Sequence, residues 1–181
     1  KHLLLILDNC EHVIAACTWL VDALLKASPR LHILATSREI LSVPGEAAFG
    51  VPSLTTPDPR HLPALEALAQ YEAVRLFVER AAQVAPGFAL NEGNAGAVIQ
   101  VCQRLDGIPL AIELAAARAR MMSIEQISVR LADTFRLLTG GSRAVLPRHQ
   151  TLKALIDWSY NLLSSQERLL LQRLSVFAGS W

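Results

Sequence analysis

Cysteine is scarce in this chain: only Cys10, Cys17 and Cys102 occur among 181 residues. They form no CxxC pair and no zinc-like spacing with histidine, which excludes a disulfide framework or a zinc site and points to a reducing, cytoplasmic compartment. Aromatic residues make up 6% and charged residues 18%, with a formal net charge of +1. That balance belongs to a soluble globular chain and excludes disordered or collagen-like classes. No apolar run approaches the roughly 18 residues of a membrane span, so no membrane partner is expected. The opening Leu3 to Leu7 run stops at Asp8 and lacks a small-residue cleavage site, so it is not read as a targeting segment. Because the chain lacks an initial Met and starts just before a strand, it is expected to be a fragment of a longer protein.

Leucine and alanine are abundant, 31 and 26 residues respectively. Both lose little side-chain freedom in a helix, which predicts a mainly helical chain. The first hundred residues are net acidic and the remainder net basic. The arginines of the second part are scattered, without clustered aromatics, and read as solvated helix faces more readily than as a nucleic-acid surface.

Leu3 to Leu7 is a continuous aliphatic run, the pattern of a strand buried on both faces of a parallel sheet. The apolar residues Val13, Cys17, Leu20, Val21, Leu24 and Leu25 predict a helix from Glu11 to Ala27, and Leu31 to Ala35 a second strand. Strand, helix and strand in so few residues read as a βαβ unit. Five prolines between Val43 and Pro63 exclude a long helix, and a short third strand is expected near Phe49 to Ser53. Helices follow: one carries Val74, Phe77, Val78, Ala81 and Ala85, the next Val98, Val101, Cys102 and Leu105, closed by Gly87 and Gly107. Pro109 suits the first turn of a further helix. Ser123 with Gln126 and Ser164 with Glu167 have capping-box spacing. After a break at Gly140-Gly141-Ser142, a stripe of Leu152, Leu155, Ile156, Leu162 and Leu163 should pair with the helix holding Leu170 and Leu174.

Chemistry concentrates at the expected strand ends. Leu4-Leu5-Ile6-Leu7-Asp8-Asn9 delivers a carboxylate at a strand tip, where a parallel sheet binds ligands and an acid can hold Mg²⁺ against a nucleotide phosphate. The alternative is an Asp that only caps the next helix. The second strand ends in Thr36-Ser37-Arg38, placing two hydroxyls and a planar guanidinium beside Asp8. The competing reading pairs Arg38 with Glu39, Glu46 or Glu11.

These two strand ends, the turn Asp106-Gly107-Ile108-Pro109-Leu110-Ala111, the segment Trp158-Ser159-Tyr160 and Phe177-Ala178-Gly179 recur in this order in one family. In them the chain resembles the STAND class of P-loop NTPases, of NB-ARC type, found in bacterial LuxR-type and related transcriptional regulators. The resemblance implies an α/β fold class: residues 1–62 as the C-terminal part of the nucleotide-binding parallel sheet, 63–145 as an all-α helical subdomain, and 146–181 as the first helices of a winged-helix domain. It implies ATP or ADP with Mg²⁺ as ligands of the full-length protein. Asp8 then resembles the Walker B aspartate, Arg38 the sensor arginine facing the terminal phosphate, with Thr36 and Ser37 beside it. Pro109 resembles the proline that packs on adenine, with Gly107 and Leu110 next to it.

Two departures follow from the residues present. The glycine-rich phosphate loop does not occur, so this stretch alone should bind ATP poorly. Asn9 stands where strongly hydrolysing relatives carry a second acid, and an amide is a poor general base, so hydrolysis is at most slow. Glu11 is an alternative for that acid, but it is expected to serve the following helix N-terminus. The implied function is an ATP/ADP-controlled switch coupled to an effector domain in the same polypeptide, plausibly DNA-binding, with self-association on activation. Two alternatives remain at this point: a helix-turn-helix DNA-binding module around Leu152 to Trp181, and a nucleotide-independent interaction scaffold. The dispersed histidines suggest no catalysis. Trp19, Trp158 and Trp181 read as core or interface anchors, and Arg118 and Arg120 as surface partners of Glu113 or Glu125.

Overall fold

The computed structural model describes residues 2–58, 63–138 and 148–176, and the side chains of 136–138 and 148–150 are outside that description. The chain divides into two compact units, Lys1–Val51 and Pro52–Trp181.

In the first unit, strand β1 (Leu3–Leu7) and strand β2 (Leu31–Ala35) pair in parallel, in a register running from Leu3 opposite Leu31 to Leu7 opposite Ala35. A short 3-10 turn (Cys10–Val13) leads into helix α1 (Ile14–Ala27), so the expected single helix from Glu11 begins as a tighter turn. Val13 is the reason: its φ of −137° breaks the helical path between the two. Leu7, Ile33 and Ala35 pack with Ile14, Cys17 and Leu25 around buried Cys10, Val21, Leu41 and Val43.

The expected double-sided burial of β1 does not occur. Leu4 and Ile6 are exposed on the opposite face from Leu7, at 58% and 61%, beside exposed Leu34. The sheet has only two strands among the described residues, and α1 covers one face. The third strand expected near Phe49 to Ser53 is also absent: Phe49 and Val51 are 83% and 75% exposed without a strand partner. Pro52 lacks the N–H a ladder would need.

The second unit is helical: α2 (Leu65–Leu68), α3 (Glu72–Val84), α4 (Glu92–Arg104), α5 (Pro109–Ala116), α6 (Ile124–Leu138), α7 (Arg148–Asn161) and α8 (Ser165–Leu174). Val74, Phe77 and Ala81 of α3 meet Val98, Val101 and Cys102 of α4 and Ile112 and Ala115 of α5 in one core. Fully burying a side chain such as Phe77 contributes roughly 1.5–3 kcal/mol relative to leaving it exposed. Leu155 and Trp158 of α7 belong to the same core, where α7 packs against α5 and α6.

The α7 stripe differs from the expected one. Thr151, Ala154, Leu155 and Trp158 face the core, while Ile156 is 49% exposed, because successive positions on a helix are about 100° apart. Nor do the leucines of α8 seal against α7: Leu169, Leu170 and Leu171 are exposed. Polar contacts join the two helices instead, with the Gln172 side chain donating to the Tyr160 hydroxyl at 2.6 Å and Arg168 donating to the Asn161 carbonyl at 2.7 Å. Gly140, Gly141, Ser142 and the Phe177-Ala178-Gly179 segment lie outside the described residues. Among the described residues, no helix is long and apolar enough to cross a membrane.

Candidate functional site

The parallel register brings the ends of β1 and β2 side by side. The Thr36 N–H donates to the Leu7 carbonyl at 2.9 Å, and the Cys10 N–H donates to the Thr36 carbonyl at 2.9 Å, extending the pairing one step past each strand. The Thr36 hydroxyl donates to Asp8 Oδ1 and accepts the Asn9 N–H at 2.9 Å. Asn9 turns the chain with a φ of +61°, a conformation that Asn tolerates better than most residues. Asp8, Asn9 and Thr36 are all exposed, so the strand tips open to solvent.

Arg38, two residues beyond Thr36, forms an ion pair with Glu11 at 2.9 Å between Nε and Oε1. Of the three acids considered as its partners, Glu11 is the one engaged. Glu46 is committed elsewhere: its carboxylate accepts the N–H groups of Leu41 (3.0 Å), Ser42 (2.7 Å) and Val43 (3.3 Å). Those bonds hold the bend at Ser42, whose φ is +61°. The Ser37 hydroxyl accepts the Glu39 N–H at 3.2 Å, which shapes the turn carrying Arg38.

Glu11 holds its proton less readily than an ordinary glutamate. Its own backbone N–H lowers the pKa, the Arg38 hydrogen bond and charge lower it further, and burial opposes them. Its side chain is 12% exposed against 78% for Arg38. The sequence named Glu11 among three possible partners of Arg38 without choosing between them; the signal that singles it out is an acid three residues after Asp8, with a cation three residues past the neighbouring strand.

The second unit holds Gly107, Pro109 and Leu110. Asp106 and Gly107 both have positive φ, +56° and +64°. Gly107 is buried, its carbonyl accepts the Leu54 N–H at 2.9 Å, and a Cβ there would stand 2.2 Å from the Leu54 carbonyl oxygen. Only glycine fits that contact. Pro109 is the first residue of α5 and is exposed, and Leu110 beside it is 48% exposed. Both are open on the surface of their unit.

Other expected assignments change. Arg118 lies over the Trp158 ring, 6.0 Å from its centroid, and donates to the Ser159 carbonyl at 3.4 Å. Glu113 pairs with Arg80 instead, at 2.9 Å. Trp158 is a core residue, whereas Trp19 is 73% exposed and lines an open cleft of about 530 Å³ with Thr18, Asp22, Val43 and Pro44. None of the residues at the strand ends lines that cleft. Trp181 lies outside the described residues.

Among the described residues, no group of three or more His, Cys, Asp or Glu side chains could hold a metal ion. Asp8 therefore offers a single carboxylate. That fits Mg²⁺ bound mainly by water and phosphate oxygens and does not fit an all-protein cage.

No family model matches the chain, and no solved structure matches it. Curated relatives exist. One from Mycobacterium tuberculosis, named "Putative HTH-type transcriptional regulator", is 49% identical over 181 residues, 100% of this chain and 19% of its own length. A Mycobacterium bovis protein of the same description matches to the same extent. An uncharacterized protein of Mycobacterium tuberculosis is 44% identical over 178 residues, 98% of this chain and 42% of that protein. The chain is thus similar, from end to end, to about a fifth of the length of proteins named as regulators of transcription.

Proposed function

We propose that this chain is the nucleotide-responsive part of a larger regulator of transcription, binding ATP or ADP with Mg²⁺ at the β1 and β2 ends. The observation carrying this reading is the Asp8 carboxylate at the tip of one parallel strand, hydrogen-bonded to the Thr36 hydroxyl at the tip of its neighbour. Carboxyl ends of parallel strands are where α/β sheets bind ligands. The names of the 49% identical relatives support the transcriptional half of the proposal. The resemblance of Asp8, Thr36-Ser37-Arg38 and Gly107-Ile108-Pro109-Leu110 to the STAND and NB-ARC pattern supports the nucleotide half.

In this reading Asp8 orients a hydrated Mg²⁺, and Arg38 answers to the terminal phosphate. For Pro109 and Leu110, contact with the base rests on the resemblance alone. Arg38 gives ATP and ADP different affinities for the two states of a switch, and only such a difference can shift a conformational equilibrium. Asn9 cannot serve as a base, so a bound triphosphate persists and reports a state more than it fuels turnover.

The reading of α7 and α8 as a DNA-reading helix pair has less support. The buried face of α7 is used by the helical core, and α8 presents Leu169, Leu170 and Leu171, which suit a groove of bases poorly. The test is titration of ATP and ADP into the full-length polypeptide, followed by limited proteolysis of each complex. Saturable binding with different cleavage patterns is expected; no binding of either nucleotide overturns the proposal.

A further inference from the structure

Glu11 occupies an unusual place beside the strand ends. Its side chain is 12% exposed, against 78% for Arg38, the cation it holds. With its amide nitrogen turned toward Glu11, Asn9 donates to Oε1 at 3.1 Å and Oε2 at 3.2 Å; the opposite orientation would set the amide oxygen against a carboxylate. The same Asn9 donates its backbone N–H to Thr36, whose hydroxyl in turn donates to Asp8. One residue therefore ties the Asp8–Thr36 pair to the Glu11–Arg38 pair.

The consequence concerns where positive charge is free. Arg38 is the one cation bonded to an acid at these strand ends among the described residues, and its Nε is already spent on Glu11. A phosphate oxygen seeking the Nε–H edge of the guanidinium must compete with that carboxylate. We propose that Glu11 is a built-in counter-ion that competes with the terminal phosphate of a nucleoside polyphosphate for Arg38, setting both the affinity of the site and its preference for the triphosphate. The competition weakens binding of any anion that offers too little charge to displace Glu11. Asn9 keeps the released carboxylate hydrogen-bonded, so the exchange leaves its oxygens satisfied. This inference rests on the nucleotide reading proposed above and adds a specificity-determining residue to it.

The test uses the full-length protein and calorimetric titration of ATP, ADP and inorganic pyrophosphate. Glu11→Gln keeps the shape and removes the charge. It should tighten ATP binding by about two- to fivefold, the scale of an exposed ion pair, with a smaller change for ADP. In an Arg38→Gln background the same substitution should change nothing, a coupling that a merely structural role would not produce. Glu11→Asp, which retains the charge but withdraws it by one methylene, should also tighten ATP binding, and it decides the matter where Glu11→Gln lowers the helical circular dichroism signal. Wild-type protein that binds ATP with an affinity neither Glu11 variant raises overturns the counter-ion role and leaves the nucleotide reading standing. Wild-type protein that binds none of the three ligands overturns both.

Discussion

Thr36 and Asp8 close the open ends of two parallel strands with a single hydrogen bond, the threonine hydroxyl donating to the aspartate while accepting the Asn9 N–H. Thr36→Val keeps the branched shape and removes both bonds. Their exposure limits the loss of stability to about 0.5–1.5 kcal/mol, measured by urea denaturation. Hydrogen exchange at the Asn9 amide should accelerate, and an unchanged rate would show that the bond is not maintained in solution.

Gly107 and Pro109 separate by their physical roles. Gly107→Ala places a Cβ against the Leu54 carbonyl and forces a left-handed φ, a conformation that alone costs about 1–2 kcal/mol for an L-residue. A loss of about 2 kcal/mol or more is expected by thermal or chemical unfolding. Pro109→Ala, at an exposed first helical position, should stay within about 1 kcal/mol of wild type. If the Pro109 ring contacts adenine, that variant weakens ADP several-fold in the full-length protein despite its normal stability.

The three thiols should differ in reactivity. Burial pushes the Cys102 thiol up to about 12, and burial, with the neighbouring Cys17 and the charges of Asp8 and Glu11, also raises Cys10. Thiolate is the reacting form. Iodoacetamide at mildly alkaline pH should label half-buried Cys17 first, with Cys10 and Cys102 reacting only as the chain unfolds. Peptide mapping by mass spectrometry reads the order.

Acid should loosen the start of α8. Glu167 accepts the Ser164 N–H at 2.8 Å and the Ser164 hydroxyl at 2.7 Å. Those two bonds hold its carboxyl below the ordinary glutamate range, with a smaller contribution from the charge of Arg118. A depressed folded-state pKa means the capping contribution is fully present above the unfolded-state value and is lost as pH falls through the folded-state value. Glu167→Gln, which can still accept but carries no charge, should remove that pH dependence. Amide exchange at residues 164–168, followed between pH 6 and pH 3 (roughly the span of such a titration), measures it.

Local signals in the sequence translated into structure where the physics is local. The aliphatic runs at Leu3 to Leu7 and Leu31 to Ala35 became paired strands. Ser123 with Gln126, and Ser164 with Glu167, formed reciprocal caps, since a cap needs only its own first turn. What failed depends on distant packing. Whether Ile6 is covered, whether Phe49 finds a strand partner, whether Trp19 is enclosed and which acid Arg38 meets are decided by other elements, and periodicity carries no record of them. Arg118 likewise reads as a surface cation from its neighbours in sequence, but an aromatic ring forty residues on captures it.

The central claim is that Asp8 serves a magnesium nucleotide. Its most direct measurement is ATP affinity of the full-length protein with Mg²⁺ and with excess chelator, for wild type and for Asp8→Ala. The account predicts tighter wild-type binding with Mg²⁺, and an Asp8→Ala variant of normal thermal stability that loses this Mg²⁺-dependent gain. Equal affinities with and without Mg²⁺ in the wild type, or a gain fully retained in Asp8→Ala, would contradict it.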